Sequence, residues 1–138
     1  MRLLKIIFFL VLTSSKVLAG TNYFNEGLAF YEKKEFDRAK FKFEQDIVFN
    51  PKNEKSYLYL SKIFNEQDKK KLEEKNLNTV ILLNPKNEEA TYNLAQLKLK
   101  ESDFEGSKKL IDKLLIFCKN YCQKSKKLKI QIEDSLKK

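Results

Sequence analysis

Apolar residues return along this chain at two spacings. Within a segment they fall three and four positions apart, as Tyr23, Gly27 and Phe30 do, which puts them on one face of a helix. Between segments the pattern returns after 34 residues: Phe49-Asn50-Pro51-Lys52-Asn53-Glu54 recurs as Leu83-Asn84-Pro85-Lys86-Asn87-Glu88. A further step of 34 lands on Phe117, again apolar. The pattern predicts helix pairs. In the first pair a leading helix runs roughly from Asn22 to Lys33. A trailing helix follows from about Phe36 to Phe49, with Phe36, Ala39, Phe43, Ile47 and Phe49 inward. Asn50-Pro51 ends it, because proline disfavours helical geometry in the residue before it and has no amide proton to donate to the preceding turn.

The second pair carries Tyr57, Ser61 and Phe64 in its leading helix and Leu77, Val80, Ile81 and Leu83 in its trailing one, closed by Pro85. The third carries Leu94, Ala95 and Leu97, then Phe104, Ser107, Ile111, Leu114, Leu115 and Phe117. Ser102-Asp103-Phe104-Glu105 reads as a capping box, with Ser102 accepting from the Glu105 amide. The tail from Cys122 to Lys138 sets Leu128, Ile130, Ile132 and Leu136 among lysines, as a terminal helix covering the open end of a stack would.

At these residues the chain resembles a tetratricopeptide repeat. That family's order of a large residue, a small one, aromatics about the turn, an alanine, an aromatic and a closing proline is met by Tyr23, Gly27, Phe30, Phe36, Ala39, Phe43 and Pro51. Asp46 departs at the last small position. In the second repeat Lys70 replaces the turn aromatic and Glu73 the alanine, and in the third Lys98 replaces an aromatic. Burying an unpaired charge costs several kcal/mol, so Lys70 and Glu73 are expected to stay exposed and the second trailing helix to start loosely, shifted or frayed. The resemblance implies an all-α fold: a right-handed α-solenoid of three helix pairs, residues 20–53, 54–87 and 88–121, plus a C-terminal capping helix, 122–138.

The first 19 residues read differently. Met1-Arg2-Leu3-Leu4-Lys5 is basic, Ile6 to Leu12 is apolar, Thr13-Ser14-Ser15 breaks the run, and Val17-Leu18-Ala19 fits a small-residue cleavage site. This is the pattern of a signal peptide, and the apolar run is far shorter than the about 20 residues that span a bilayer. The expected product is exported, periplasmic or secreted, with no integral membrane segment after cleavage. It keeps 25 of the 28 basic residues against 19 acidic ones, a charge of +6. Arg38 is its only arginine, and arginine supplies the bidentate fork that reads phosphate and guanine. Nucleic acid is therefore not an expected partner.

Little in the chain suggests catalysis. It has no histidine and two cysteines, which rules out histidine-based nucleophile pairs and is too few for a zinc site of the usual kind. Gly20, Gly27 and Gly106 are scattered, so no phosphate loop exists. Glu73-Glu74 and Glu88-Glu89 are adjacent pairs that point apart on a helix, and they read as surface charges. The expectation is a non-enzyme with no cofactor or metal. Cys118 and Cys122 lie four apart, too wide for a disulfide on a continuous helix, but the repeat register puts them at a turn, where a disulfide is feasible. Export favours that bond; two buried thiols or a redox pair are the other readings.

Solenoids of this family bind other chains along an inner surface lined by the leading helices. The resemblance places that groove on Phe24, Leu28, Tyr31, Leu58, Lys62, Asn65, Tyr92, Gln96 and Leu99, with Phe24, Leu58 and Tyr92 in one row at steps of 34. The alternative is that this row covers the core. Versions of the fold that bind chaperone tails clamp a terminal carboxylate with several cations and amides; here only Lys62 stands at such a position. The function expected is an exported adaptor holding a peptide or helix of another envelope protein. The alternatives are a structural or assembly subunit that acts through its outer face or self-association, and a small secreted helical effector.

Overall fold

The computed structural model describes residues 22–137. The leader and cleavage site expected over residues 1–19 fall outside the described residues. Among the described residues there are seven helices: α1 Tyr23–Glu32, α2 Phe36–Phe49, α3 Glu54–Glu66, α4 Lys70–Leu83, α5 Glu88–Lys100, α6 Phe104–Phe117 and α7 Cys122–Leu136. They form an α-solenoid of three pairs closed by a capping helix. Each helix packs mainly on its neighbours in the chain, and α5 also touches α7.

The 34-residue step is a packing rule. Phe43, Leu77 and Ile111 occupy one slot of the trailing helices and are fully buried. Leu60, Leu94 and Leu128 form a second buried ladder on α3, α5 and α7, so the capping helix sits in the register of a fourth leading helix. Gly27, Ser61 and Ala95 form the small-residue ladder between them. At Gly27 the need for a small residue is steric: a Cβ there would lie 2.7 Å from the Phe43 ring.

The turns within the pairs repeat as well. Lys34, Asp68 and Ser102 have φ of 59°, 51° and 63°, the left-handed region, at steps of 34. The following amides donate back to the carbonyls of Phe30, Phe64 and Lys98 at 3.0, 2.9 and 2.9 Å, the six-to-one bond of a Schellman motif. Ser102 therefore ends α5 and does not cap α6. Asp103 is the cap, accepting from the Gly106 amide at 2.9 Å, so the cap lies one residue later than expected and no capping box forms, because Gly106 has no side chain to bond back.

The turns between the pairs carry the repeated Asn-Pro phrase. Asn53 and Asn87 cap α3 and α5 with their side chains. Asp46, the misfit at a small-residue position, is buried and accepts from Asn50 at 3.0 Å, Asn53 at 2.6 Å and Ser56 at 2.5 Å. An acid is tolerated there because the turn brings three donors to it.

The expectation of a frayed α4 fails. α4 begins at Lys70, in register with Phe36 and Phe104, and like α2 and α6 it has 14 residues. Lys70 is exposed, but Glu73 is only 6% exposed. Leu77 and Val80, fully buried further along the same face, fix the rotation of the helix and carry Glu73 inward with them. Its carboxylate reaches a small polar cavity of about 60 Å³, where Lys100 also points.

Candidate functional site

The inner surface is built around Tyr59 of α3. Its ring stacks on Phe43 at 5.2 Å and meets Tyr31 edge-on at 5.0 Å and Phe24 at 6.0 Å. Lys62, one turn along α3, sets its ammonium 4.8 Å from the same ring and 2.7 Å from the Glu89 carboxylate of α5. Further along, Tyr92 packs on Tyr121 at 5.4 Å, and the Lys124 ammonium lies 5.0 Å from the Tyr121 ring. Four half-buried tyrosines, Tyr31, Tyr59, Tyr92 and Tyr121, thus flank one cross-helix ion pair.

The electrostatics follow from that arrangement. Burial raises the Tyr31 and Tyr121 hydroxyls above their ordinary value, so both stay protonated and able to donate. Burial alone would lower the Lys62 ammonium, but hydrogen bonding and attraction to Glu89 outweigh it and the net direction is up. Lys62 is a held cation.

The residues expected to line the groove divide. Leu28 and Tyr31 line an open recess of about 470 Å³ with Tyr59, Phe36 and Glu66. Lys62, Asn65 and Gln96 line the 60 Å³ cavity above Glu73. Phe24 and Tyr92 are half-buried against aromatic neighbours. Leu99 packs on the last core cluster. Leu58 does not belong to the groove: it is 8% exposed and packs with Leu77, Val80, Ala90, Leu94 and Leu97. The expected row of Phe24, Leu58 and Tyr92 is therefore broken at its centre, because α4 and α5 close over that slot.

Several contributors were not anticipated, Tyr121 among them. Tyr59 lies outside the slots that carry the repeat resemblance, although six large apolar residues from Tyr57 to Phe64 leave that stretch of α3 little polar face. Glu88 and Glu89 are not free surface charges. Glu89 holds Lys62, and Glu88 accepts from the consecutive amides of Lys119, Asn120 and Tyr121 at 2.9, 2.9 and 2.8 Å. Burial pushes the Glu88 carboxyl up, and those three amides outweigh it and hold it below its usual range. Glu74 is likewise engaged, by Lys98 at 2.6 Å. Lys98 fits a slot between Phe64 and Ile132 because this acid and its more distant neighbours Glu101 and Asp103 surround its ammonium.

The turn that Glu88 grips is bracketed by Cys118 and Cys122. Their sulfurs are bonded and their Cα atoms are 5.3 Å apart. The bond stands where the other two turns have Asn-Pro, and the turn it closes includes Tyr121, whose ring packs on Tyr92. Among the described residues no group of three or more acidic or sulfur ligands is placed to hold a metal, and no helix is long and apolar enough to cross a membrane.

No protein-family model and no curated protein matches the chain. Solved structures do. The first TPR domain of Spaghetti (RPAP3), bound to the HSP90 peptide SRMEEVD, superposes with a TM-score of 0.76 at 16% identity over 84% of this chain and 91% of its own. The TPR2B domain of yeast Sti1 in a pHsp70 complex gives 0.75 at 12% identity, covering 82% and 94%. The TPR domain of Arabidopsis OM64 gives 0.72 at 17%, covering 81% and 92%. Period, ladders, turn geometry and these superpositions agree that the chain folds as a tetratricopeptide-repeat domain.

Proposed function

We propose that the protein is an exported, non-enzymatic adaptor that holds a peptide or helix of another envelope protein on its inner surface. The observation that carries this reading is the tyrosine strip. Four partly exposed phenol rings on a rigid scaffold offer a large contact area with little conformational freedom to lose, as protein-binding surfaces do. The recess beside Tyr31 and Tyr59 gives a partner side chain somewhere to enter.

The binding mode differs from clamping of a terminal carboxylate. Lys62 is the one lysine at a suitable place, and it is already held by Glu89 at 2.7 Å. An incoming carboxylate would have to displace Glu89, so aromatic contact and the tyrosine hydroxyls carry recognition. The N-terminal pattern of residues 1–19 supports export, which makes a periplasmic or secreted partner the expected one.

The test is site-specific photocrosslinking in the native cell. A benzoylphenylalanine in place of Tyr31 should capture a different protein of the cell envelope, while the same group at Asn78, on the exposed side of α4, should not. Capture only of the protein itself would favour the assembly-subunit reading. Capture only from the Asn78 position would move the site to the outer surface.

A further inference from the structure

The three most exposed large apolar side chains among the described residues share one slot. Val48, Leu82 and Ile116 are 74%, 80% and 86% exposed and stand 34 residues apart, whereas no other large apolar residue exceeds 62%. Each lies one residue before the end of a trailing helix, α2, α4 or α6, away from the leading helices that carry most of the tyrosine strip. Stacking of the repeats lines them up as a ridge. Folding does not require them there, since they bury almost nothing, and a slot left to water has no reason to be apolar three times.

The ridge is basic. The turns that follow the three residues present Lys52, Lys86 and Lys119, all exposed. One or two turns earlier on the same helices, Lys75, Lys109 and Lys113 are exposed too. The acids nearby are fewer. Glu44 is exposed, and Asp112 is taken up by Lys108 and Lys129 at 2.9 and 2.7 Å.

We propose that this ridge docks on an anionic lipid surface, with Val48, Leu82 and Ile116 entering the headgroup boundary and the lysines meeting lipid phosphates. Spacing favours lipid over protein. The three side chains are separated by whole repeats, so a rigid partner would need three pockets at that interval, whereas a bilayer boundary accepts protruding apolar groups at any interval. The ridge stands at the C-terminal ends of the trailing helices, whereas the groove is carried mainly by the leading helices and touches α2 only at its first residue, Phe36, so the protein could lie on a membrane with its tyrosine strip open to a partner. This inference does not depend on the groove reading.

The experiment uses the protein in the form its cell accumulates, with its disulfide intact. A Leu82→Cys variant labelled with bimane should show a blue shift on vesicles of phosphatidylcholine mixed with phosphatidylglycerol, and little or none on phosphatidylcholine alone. The shift reports the environment of that one site, so any membrane affinity of the N-terminal residues does not mimic it. The Val48→Asp, Leu82→Asp, Ile116→Asp triple variant should keep its helical circular dichroism and bind the mixed vesicles at least about tenfold more weakly. No shift on the mixed vesicles overturns the proposal. A shift that grows with protein concentration without lipid would assign the ridge to a second copy of the chain. An equal shift with poly-glutamate would assign it to an acidic polypeptide. Either result overturns the lipid reading.

Discussion

Replacing Gly27 by alanine tests whether the first repeat packs as described. The new Cβ would sit 2.7 Å from Cε1 and 2.8 Å from Cδ1 of Phe43, well inside contact distance. Phe43 is fully buried and cannot swing away, because Tyr59 stacks on it at 5.2 Å and Phe24 lies at 5.8 Å. Overpacking typically costs about 1–3 kcal/mol, and contacts this short against a pinned ring belong in the upper half of that range, about 2–3 kcal/mol. Alanine's better helix propensity returns about 1 kcal/mol. The expected net effect is a destabilisation of roughly 1–2 kcal/mol, with displacement of the Tyr59 ring on the inner surface. Gly106→Ala is the control. Its Cβ meets only the Asp103 carboxylate, which is free to rotate outward. Loss of that N-cap costs about 1 kcal/mol and the propensity gain offsets it, so the change should be near zero. Urea unfolding followed by far-UV circular dichroism reads both. A Gly27→Ala protein as stable as the wild type, or one no less stable than Gly106→Ala, would refute the packing account.

Two further predictions concern the charged and strained positions. Burial raises the Glu73 carboxyl above its ordinary value and Lys100 only partly opposes this, so between the ordinary and the raised value the native state keeps a proton that the unfolded chain has lost. Stability therefore falls as pH rises through that window, and Glu73→Gln should be more stable than wild type near pH 8 and no more stable near pH 4; thermal melts across pH that ran parallel would show that the carboxylate is adequately solvated. At Lys34, Asp68 and Ser102 the left-handed backbone costs a residue with a side chain about 1–2 kcal/mol, and glycine's greater freedom when unfolded takes back about half of that. The triple glycine variant should gain roughly 1.5–3 kcal/mol in chemical unfolding, and a loss would show that those side chains make contacts worth more than the strain.

The sequence determined the architecture because the fold is periodic. A step of 34 residues, with small residues at Gly27, Ser61 and Ala95 and apolar ones at Phe43, Leu77 and Ile111, fixes helix pairing, turn position and the core ladders without knowledge of any distant contact. Each repeat touches mainly its neighbours, so local pattern and global fold carry the same information. The places where sequence reasoning failed are those where a side chain's fate depends on an element one or two helices away. Glu73 is buried by the anchoring of Leu77 and Val80, against its own solvation preference. Leu58 is taken from the groove because α4 and α5 close over it. Glu88 and Glu89 become structural only when α5 meets the turn before α7 and the Lys62 side chain of α3. Tyr59 and Tyr121 reach the inner surface through ring stacking, which no spacing along a single helix specifies. Repeat period decided which helices lie together, and only their packing decided which side chains were left facing a partner.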